Sequence, residues 1–174
     1  MLTSDGRPEN VELLRRRYPS IPVRLLDLDD PDPDFREQAE IVYCYGTLYH
    51  LRQPAEALTF LAGCCTSTML VETCVSFGDD ERLEIVDEYE SIPSQALSGV
   101  GCRPTRLWVH RRLTELFPYV YMPRTQPWHE EFPVAWTTPP TDPGRLIRAI
   151  FVASKEPVLN HLLTDQIPLH QEGI

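Results

Sequence analysis

Two apolar segments, "IVYCY" at Ile41 to Tyr45 and "TMLVETCVS" at Thr68 to Ser76, flank a helix-forming run that opens at Pro54. That order decides most of what the chain can become. A strand, a helix and a second strand in close succession form a parallel pair joined by a right-handed crossover. The second segment is almost continuously apolar, the pattern of a strand covered on both faces. In "PAEALTFLAGCC" the residues Leu58, Leu61, Ala62 and Cys65 fall on one stripe, as an amphipathic helix requires. The same alternation precedes this unit. "RPENVELLRRRY" has Pro8 at a helix start and Val11, Leu14 and Tyr18 on one face, which predicts a helix over Pro8 to Tyr18. Val23 to Leu26 reads as a short strand and "DLDDPDPD" as a loop, with Asp34 capping a helical turn through Ala39.

The second half is less regular. Phe77 to Gly101 carries charges and isolated glycines, and is expected to form a long loop or lid with one short element, a feature usually tied to function. Pro104 opens a third helix with Val109, Leu113, Leu116 and Phe117 inward, and a strand follows near Tyr119 to Arg124. A Pro- and Trp-rich excursion from Gln126 to Gly144 leads into "RLIRAIFVASK", a final strand expected to pair antiparallel with the one before it at an edge of the sheet. The tail after Pro157 mixes leucines and histidines without period and reads as a frayed helix or disorder. The expected fold class is therefore α/β, a mostly parallel sheet with a C-terminal antiparallel hairpin. It forms one domain over residues 1–157, followed by a tail over 158–174.

Composition narrows the functions open to such a domain. With 174 residues, 26 acidic against 16 basic, the chain supports one core and carries a formal net charge of −10. That charge opposes nonspecific attraction to phosphate backbones and argues against a nucleic-acid partner. Arg103, Arg106, Arg111 and Arg112 read as a solvated helix face. No apolar stretch is long enough to span a bilayer, and no secretory signal opens the chain, so a cytoplasmic setting with free thiols at Cys44, Cys64, Cys65, Cys74 and Cys102 is expected. Cysteines and histidines show no metal-ligand spacing. Trp108, Trp128 and Trp136 read as packing residues, with Trp128 and His129 near an acceptor pocket.

Candidate chemistry gathers where strands end. Asp5-Gly6, Asp27-Leu28-Asp29 and Tyr45-Gly46-Thr47 each follow an expected strand, and in a doubly wound sheet those ends line one crevice. One carboxylate there can accept both hydroxyls of a ribose diol, and another an adenine amino group. The competing reading is that Asp5 and Asp27 only cap turns. His50 either serves as general base toward an acceptor hydroxyl or satisfies the start of the following helix.

The order "DGRPEN", "VRLLDLDDPD", "AEIVYCYGTLYHLRQPAEAL", "MLVETCVS" resembles strands two to five of a class I S-adenosylmethionine-dependent methyltransferase. "GVGCRPTRLWVHRRLTELF" and "RLIRAIFVASKEP" resemble that family's last helix and closing hairpin strand. Within the family "GTLYHLRQP" is similar to methyltransferases of small molecules or sugars, and to the carboxymethyltransferases of tRNA wobble uridine. The resemblance implies a Rossmann-like fold with S-adenosyl-L-methionine as cofactor. It implies Asp5 and Gly6 at the ribose, Asp27, Leu28 and Asp29 against adenine, and Tyr45, Gly46 and Arg148 beside the cofactor. Tyr49 and His50 then face the acceptor as catalytic residues.

The family's first strand ends in a glycine-rich E/D-x-G-x-G turn. Here Met1 stands four residues before the second-strand acid, and the only G-x-G, Gly99 to Gly101, follows no expected strand. An N-terminal strand missing from the centre of a sheet leaves backbone amides unpaired, at roughly 1 to 3 kcal/mol each when buried. The chain is therefore expected either to pair strand three directly with strand four or to recruit a strand from a partner subunit, a homodimer included. The functional expectation is a methyltransferase with a small-molecule acceptor. The alternatives are a catalytically silent methyltransferase-like module that binds a partner subunit, and an RNA-modifying enzyme.

Overall fold

The computed structural model of the protein describes residues 1–142 and 144–174. Strand β1 (Thr3–Asp5) leads into helix α1 (Pro8–Arg17), which has Pro8 in its first turn, where the missing N–H costs nothing. Strand β2 (Val23–Leu25) pairs parallel with β1, Asp5 opposite Leu25, and these two strands form a sheet of their own. Residues 32–35 make only a tight turn, with Phe35 N donating to Asp32 O. The helical turn expected at Asp34 is absent: its carboxylate takes the Arg36 guanidinium at 3.4 Å and caps no backbone N–H among the described residues.

Strand β3 (Ala39–Tyr45), helix α2 (Pro54–Cys64) and strand β4 (Cys65–Val75) build the expected parallel crossover unit. Beyond it the sheet departs from expectation. β9 (Ile147–Ser154) lies antiparallel to β4 along its whole length and antiparallel to β7 (Tyr119–Pro123), so the five-stranded order is β10-β7-β9-β4-β3, where β10 is Leu163–Thr164. This sheet is mixed rather than mostly parallel. The antiparallel pair of β7 and β9 forms as expected, but β9 sits inside the sheet and not at its edge. The tail is ordered: β10 pairs with β7, and β11 (Glu172–Gly173) pairs with β8 (Thr125–Gln126). Its pairing partners lie far back in sequence, which local periodicity does not reveal.

Helix α3 (Arg106–Leu116) begins at Thr105, whose hydroxyl accepts from Trp108 N at 3.3 Å, while Pro104 belongs to the preceding strand. Helices α2 and α3 pack against each other on one face of the five-stranded sheet. There Leu58, Leu61, Val109 and Leu113 meet Met69, Val71, Phe151, Ala153 and Met122 in one core. No helix covers the opposite face among the described residues. Register places Ile41, Tyr43 and Tyr45 of β3 there, beside Leu70 of β4 and Val152 of β9. The three β3 residues are 53%, 67% and 53% exposed at the sheet edge, whereas β4 is buried on both faces from Val71 to Val75, as its composition predicts.

The expected gap is real in this fold. β1 pairs only with β2, and β3 pairs only with β4, so neither β1 nor β2 joins β3. The anticipated direct pairing of the Val23–Leu26 strand with the Ile41–Tyr45 strand, β2 with β3 here, does not occur.

Candidate functional site

Three strand ends converge on a cavity of about 570 Å³, within the range of small-molecule sites. Asp5 and Gly6 come from the end of β1, Asp27, Leu28 and Asp29 from the turn after β2, and Gly46, Thr47, Tyr49 and His50 from the turn after β3. Gly46 adopts φ +66°, a left-handed conformation that lets the chain break sharply into the 3-10 turn Leu48–His50. Of the residues expected around a cofactor, Tyr45 and Arg148 do not line this cavity. Tyr45 points to the uncovered sheet face, and Arg148 stands behind Tyr49.

The carboxylates divide their work. Asp5 Oδ1 accepts from Arg7 N at 2.8 Å, and Asn10 Nδ2 reaches both oxygens at 3.3 and 3.2 Å, so Asp5 closes the turn that leads into α1 while its outer oxygen keeps acceptor capacity. Asp27 Oδ1 accepts from Asp29 N at 2.9 Å, a local turn bond that leaves the second oxygen without a protein partner among the described residues. Asp29 is committed elsewhere. Its two oxygens accept from Gln53 N at 2.8 Å and Arg52 N at 3.0 Å, pinning the start of α2.

Behind the cavity wall lies an ionic cluster. Glu72, in the middle of β4 and 2% exposed, accepts from Arg148 Nη1 at 2.8 Å and from Gly46 N at 2.9 Å. Arg148 also donates to Glu131 at 2.5 Å and to the Tyr49 hydroxyl at 3.1 Å. Burial works against charge on Arg148, yet these three partners hold its guanidinium above the usual arginine range. Burial likewise pushes the Tyr49 hydroxyl up, keeping it protonated. Burial pushes Cys44, in the same wall, to about 12, which removes it as a thiolate nucleophile.

The segment expected as a long loop is a hairpin, β5 (Leu83–Asp87) paired antiparallel with β6 (Val100–Pro104). The loop between them, 88–99, folds over the cavity, where Pro93, Ser94, Gln95 and Leu97 line it. One guanidinium nitrogen of buried Arg7 latches this loop by donating to the carbonyls of Glu90, Gln95 and Ala96 at 2.8, 3.3 and 3.1 Å. The hairpin also brings Glu88 against His50, with Oε2 2.5 Å from Nδ1.

Gly101 makes this approach possible. A Cβ there would lie 2.6 Å from the Tyr49 carbonyl oxygen and 2.7 Å from Glu88 Oε1. Gly101→Ala is expected to cost about 1–3 kcal/mol by overpacking, read as a lower urea midpoint at unchanged slope.

Sequence reading missed Glu72, Glu88, Arg7 and Arg103. A lone carboxylate inside "MLVETCV" was a usable signal for Glu72, since a charge in a buried strand needs a partner. Glu88 offers none, because its histidine lies 38 positions away.

No family model matches the sequence, and neither does any curated protein. Solved structures do match in shape. The N-terminal domain of EvdMO1 with SAH bound superposes at TM-score 0.64 and 19% identity, over 88% of this chain and 63% of that one. The same domain in the presence of SAH and D-fucose gives 0.64 at 18%, over 88% and 65%. A chain of the complex between the Haloferax volcanii Trm112 methyltransferase activator and a proposed methyltransferase gives 0.54 at 14%, over 92% and 73%. The protein thus has the class I methyltransferase-like α/β fold, with a mixed sheet, and spans 63% of the length of the EvdMO1 domain.

Proposed function

We propose that this chain is a methyltransferase domain that binds S-adenosyl-L-methionine and transfers its methyl group to a small-molecule acceptor. The observation that carries the reading is the meeting of the Asp5, Asp27 and Gly46 turns on one cavity. The residues fit the group. Asp5 and Asp27 each keep a carboxylate oxygen for hydroxyl or amino donors. Gly6 leaves room where a Cβ would come 3.4 Å from Leu97. When bound, the cofactor supplies an activated methyl on a sulfonium, so the chain's task is alignment and removal of an acceptor proton. Asp5 and Gly6 hold the ribose side, Asp27 and Leu28 the adenine side, and Tyr49 and His50 face the acceptor. The SAH named with the EvdMO1 structures supports the same cofactor here.

Titration calorimetry tests the reading directly. Micromolar binding of S-adenosylmethionine and S-adenosylhomocysteine is expected, and a flat titration at millimolar ligand overturns it. That second outcome favours a silent module completed by a partner subunit or a second copy. The uncovered face around Tyr43 and the two unpaired strand edges beside the cavity support this alternative.

A further inference from the structure

We propose that Glu88 is a positioning residue that holds His50 as a proton acceptor, and that the acceptor of the methyl group is therefore a hydroxyl. This rests on the methyltransferase reading of the cavity, which both His50 and the loop behind Glu88 line. The Glu88 side chain is 3% exposed and that of His50 18%. Every approach to the carboxylate is occupied. Oε2 meets His50 Nδ1 at 2.5 Å and accepts from Ala96 N at 2.7 Å, and Oε1 accepts from Arg103 at 3.3 and 3.4 Å. Burial opposes the charge on Glu88, but the bonds from His50 and Ala96 and the charge of Arg103 outweigh it and hold the group below the usual carboxylate range.

An ionised carboxylate only accepts hydrogen bonds, so the neutral imidazole must carry its proton on Nδ1. The lone pair is then on Nε2, which has no protein partner among the described residues. The ring of Tyr49 packs against the imidazole with centroids 4.0 Å apart and fixes its tilt. Arg103 in turn donates to the Tyr49 carbonyl at 3.1 Å, tying the dyad to the same turn.

An amine acceptor can present a free lone pair near neutral pH, whereas an alcohol must lose its proton as it attacks. His50 Nε2 takes that proton while the oxygen lone pair forms the bond to the methyl carbon. The carbon–sulfur pair stays on sulfur, leaving a neutral thioether and an ether, and the imidazolium passes its proton to water. Because Ala96 N shares Oε2, one carboxylate fixes both the 88–99 loop and the base.

Long-range proton–nitrogen correlation spectra of the ligand-free protein, with His50 assigned by a His50→Gln variant, test this without an acceptor. The expected neutral form is the Nδ1–H tautomer, shifting toward Nε2–H in Glu88→Ala, which leaves Nδ1 without its acceptor; Glu88→Gln keeps Nδ1–H, because its amide oxygen still accepts from Ala96 N and from the ring. Carbethoxylation by diethylpyrocarbonate is expected at His50 Nε2, slowed at least threefold in Glu88→Ala and at least tenfold by saturating S-adenosylhomocysteine. A wild-type Nε2–H tautomer, or modification of His50 indifferent to Glu88→Ala, overturns the proposal even if that variant folds poorly, since the first measurement needs no variant. Failure of S-adenosylhomocysteine to bind by calorimetry, with tautomer and reactivity as expected, instead removes the methyltransferase reading.

Discussion

Replacing Glu72 by alanine is expected to lower the free energy of unfolding by about 3–5 kcal/mol, the cost of breaking a buried ion pair from one side. Against the 5–15 kcal/mol that holds a typical domain together, this is a severe loss. The size follows from what the carboxylate does. It is the more deeply buried of the two carboxylates that neutralise Arg148, and it also satisfies the Gly46 amide at the point where the chain leaves β3 in a left-handed conformation. Glu131 contacts Arg148 from a more exposed position and cannot reach Gly46 in its place. Glu72→Gln keeps the volume and an acceptor for Gly46, and is expected to lose less than the alanine variant. Urea unfolding followed by far-ultraviolet circular dichroism checks both. A loss below about 1 kcal/mol for Glu72→Ala would mean that the cluster contributes little to the fold.

Asp5→Asn is expected to weaken S-adenosylhomocysteine binding by tenfold or more, since a hydrogen bond to a charged acceptor contributes about 1.5–3 kcal/mol and each 1.4 kcal/mol is a factor of ten. Asparagine is chosen because its side-chain oxygen still accepts from Arg7 N, so the turn before α1 is kept. A melting temperature within a degree or two of wild type separates lost binding from lost structure. Unchanged affinity at unchanged stability would reduce Asp5 to a capping residue, the competing reading of its position. The acid at the end of a short strand cannot choose between these roles by itself, because both use the same oxygen atoms.

Local pattern revealed the α2 crossover unit, all three helices to within a residue or two, and the strand-end crevice with Asp5, Asp27 and Gly46. These rest on period, on proline at helix starts, and on the position of loops after strands. What it could not reveal is set by partners distant in sequence. The hairpin of β5 and β6 is mostly polar on its outer side, so Leu83, Ile85 and Val86 gave too little alternation to call a strand. The ordering of the tail depends on β7 and β8, and the base-orienting role of Glu88 on a histidine in another turn. Nothing in the stretch "DGRPEN" singles out Arg7. It is a buried latch whose three acceptors are backbone carbonyls, which carry no sequence mark.

The interruption of the sheet beside β3 divides the cavity between two bodies that share no backbone ladder. The Asp5 and Asp27 rim belongs to one and the Gly46 rim to the other, joined across the interval by side chains such as Asp29 and Arg7. A molecule seated between the rims touches both, so its binding stabilises their arrangement by linkage. Affinity in this fold is thus coupled to cohesion, so any change that fastens the two halves together tightens the grip on whatever lies between them.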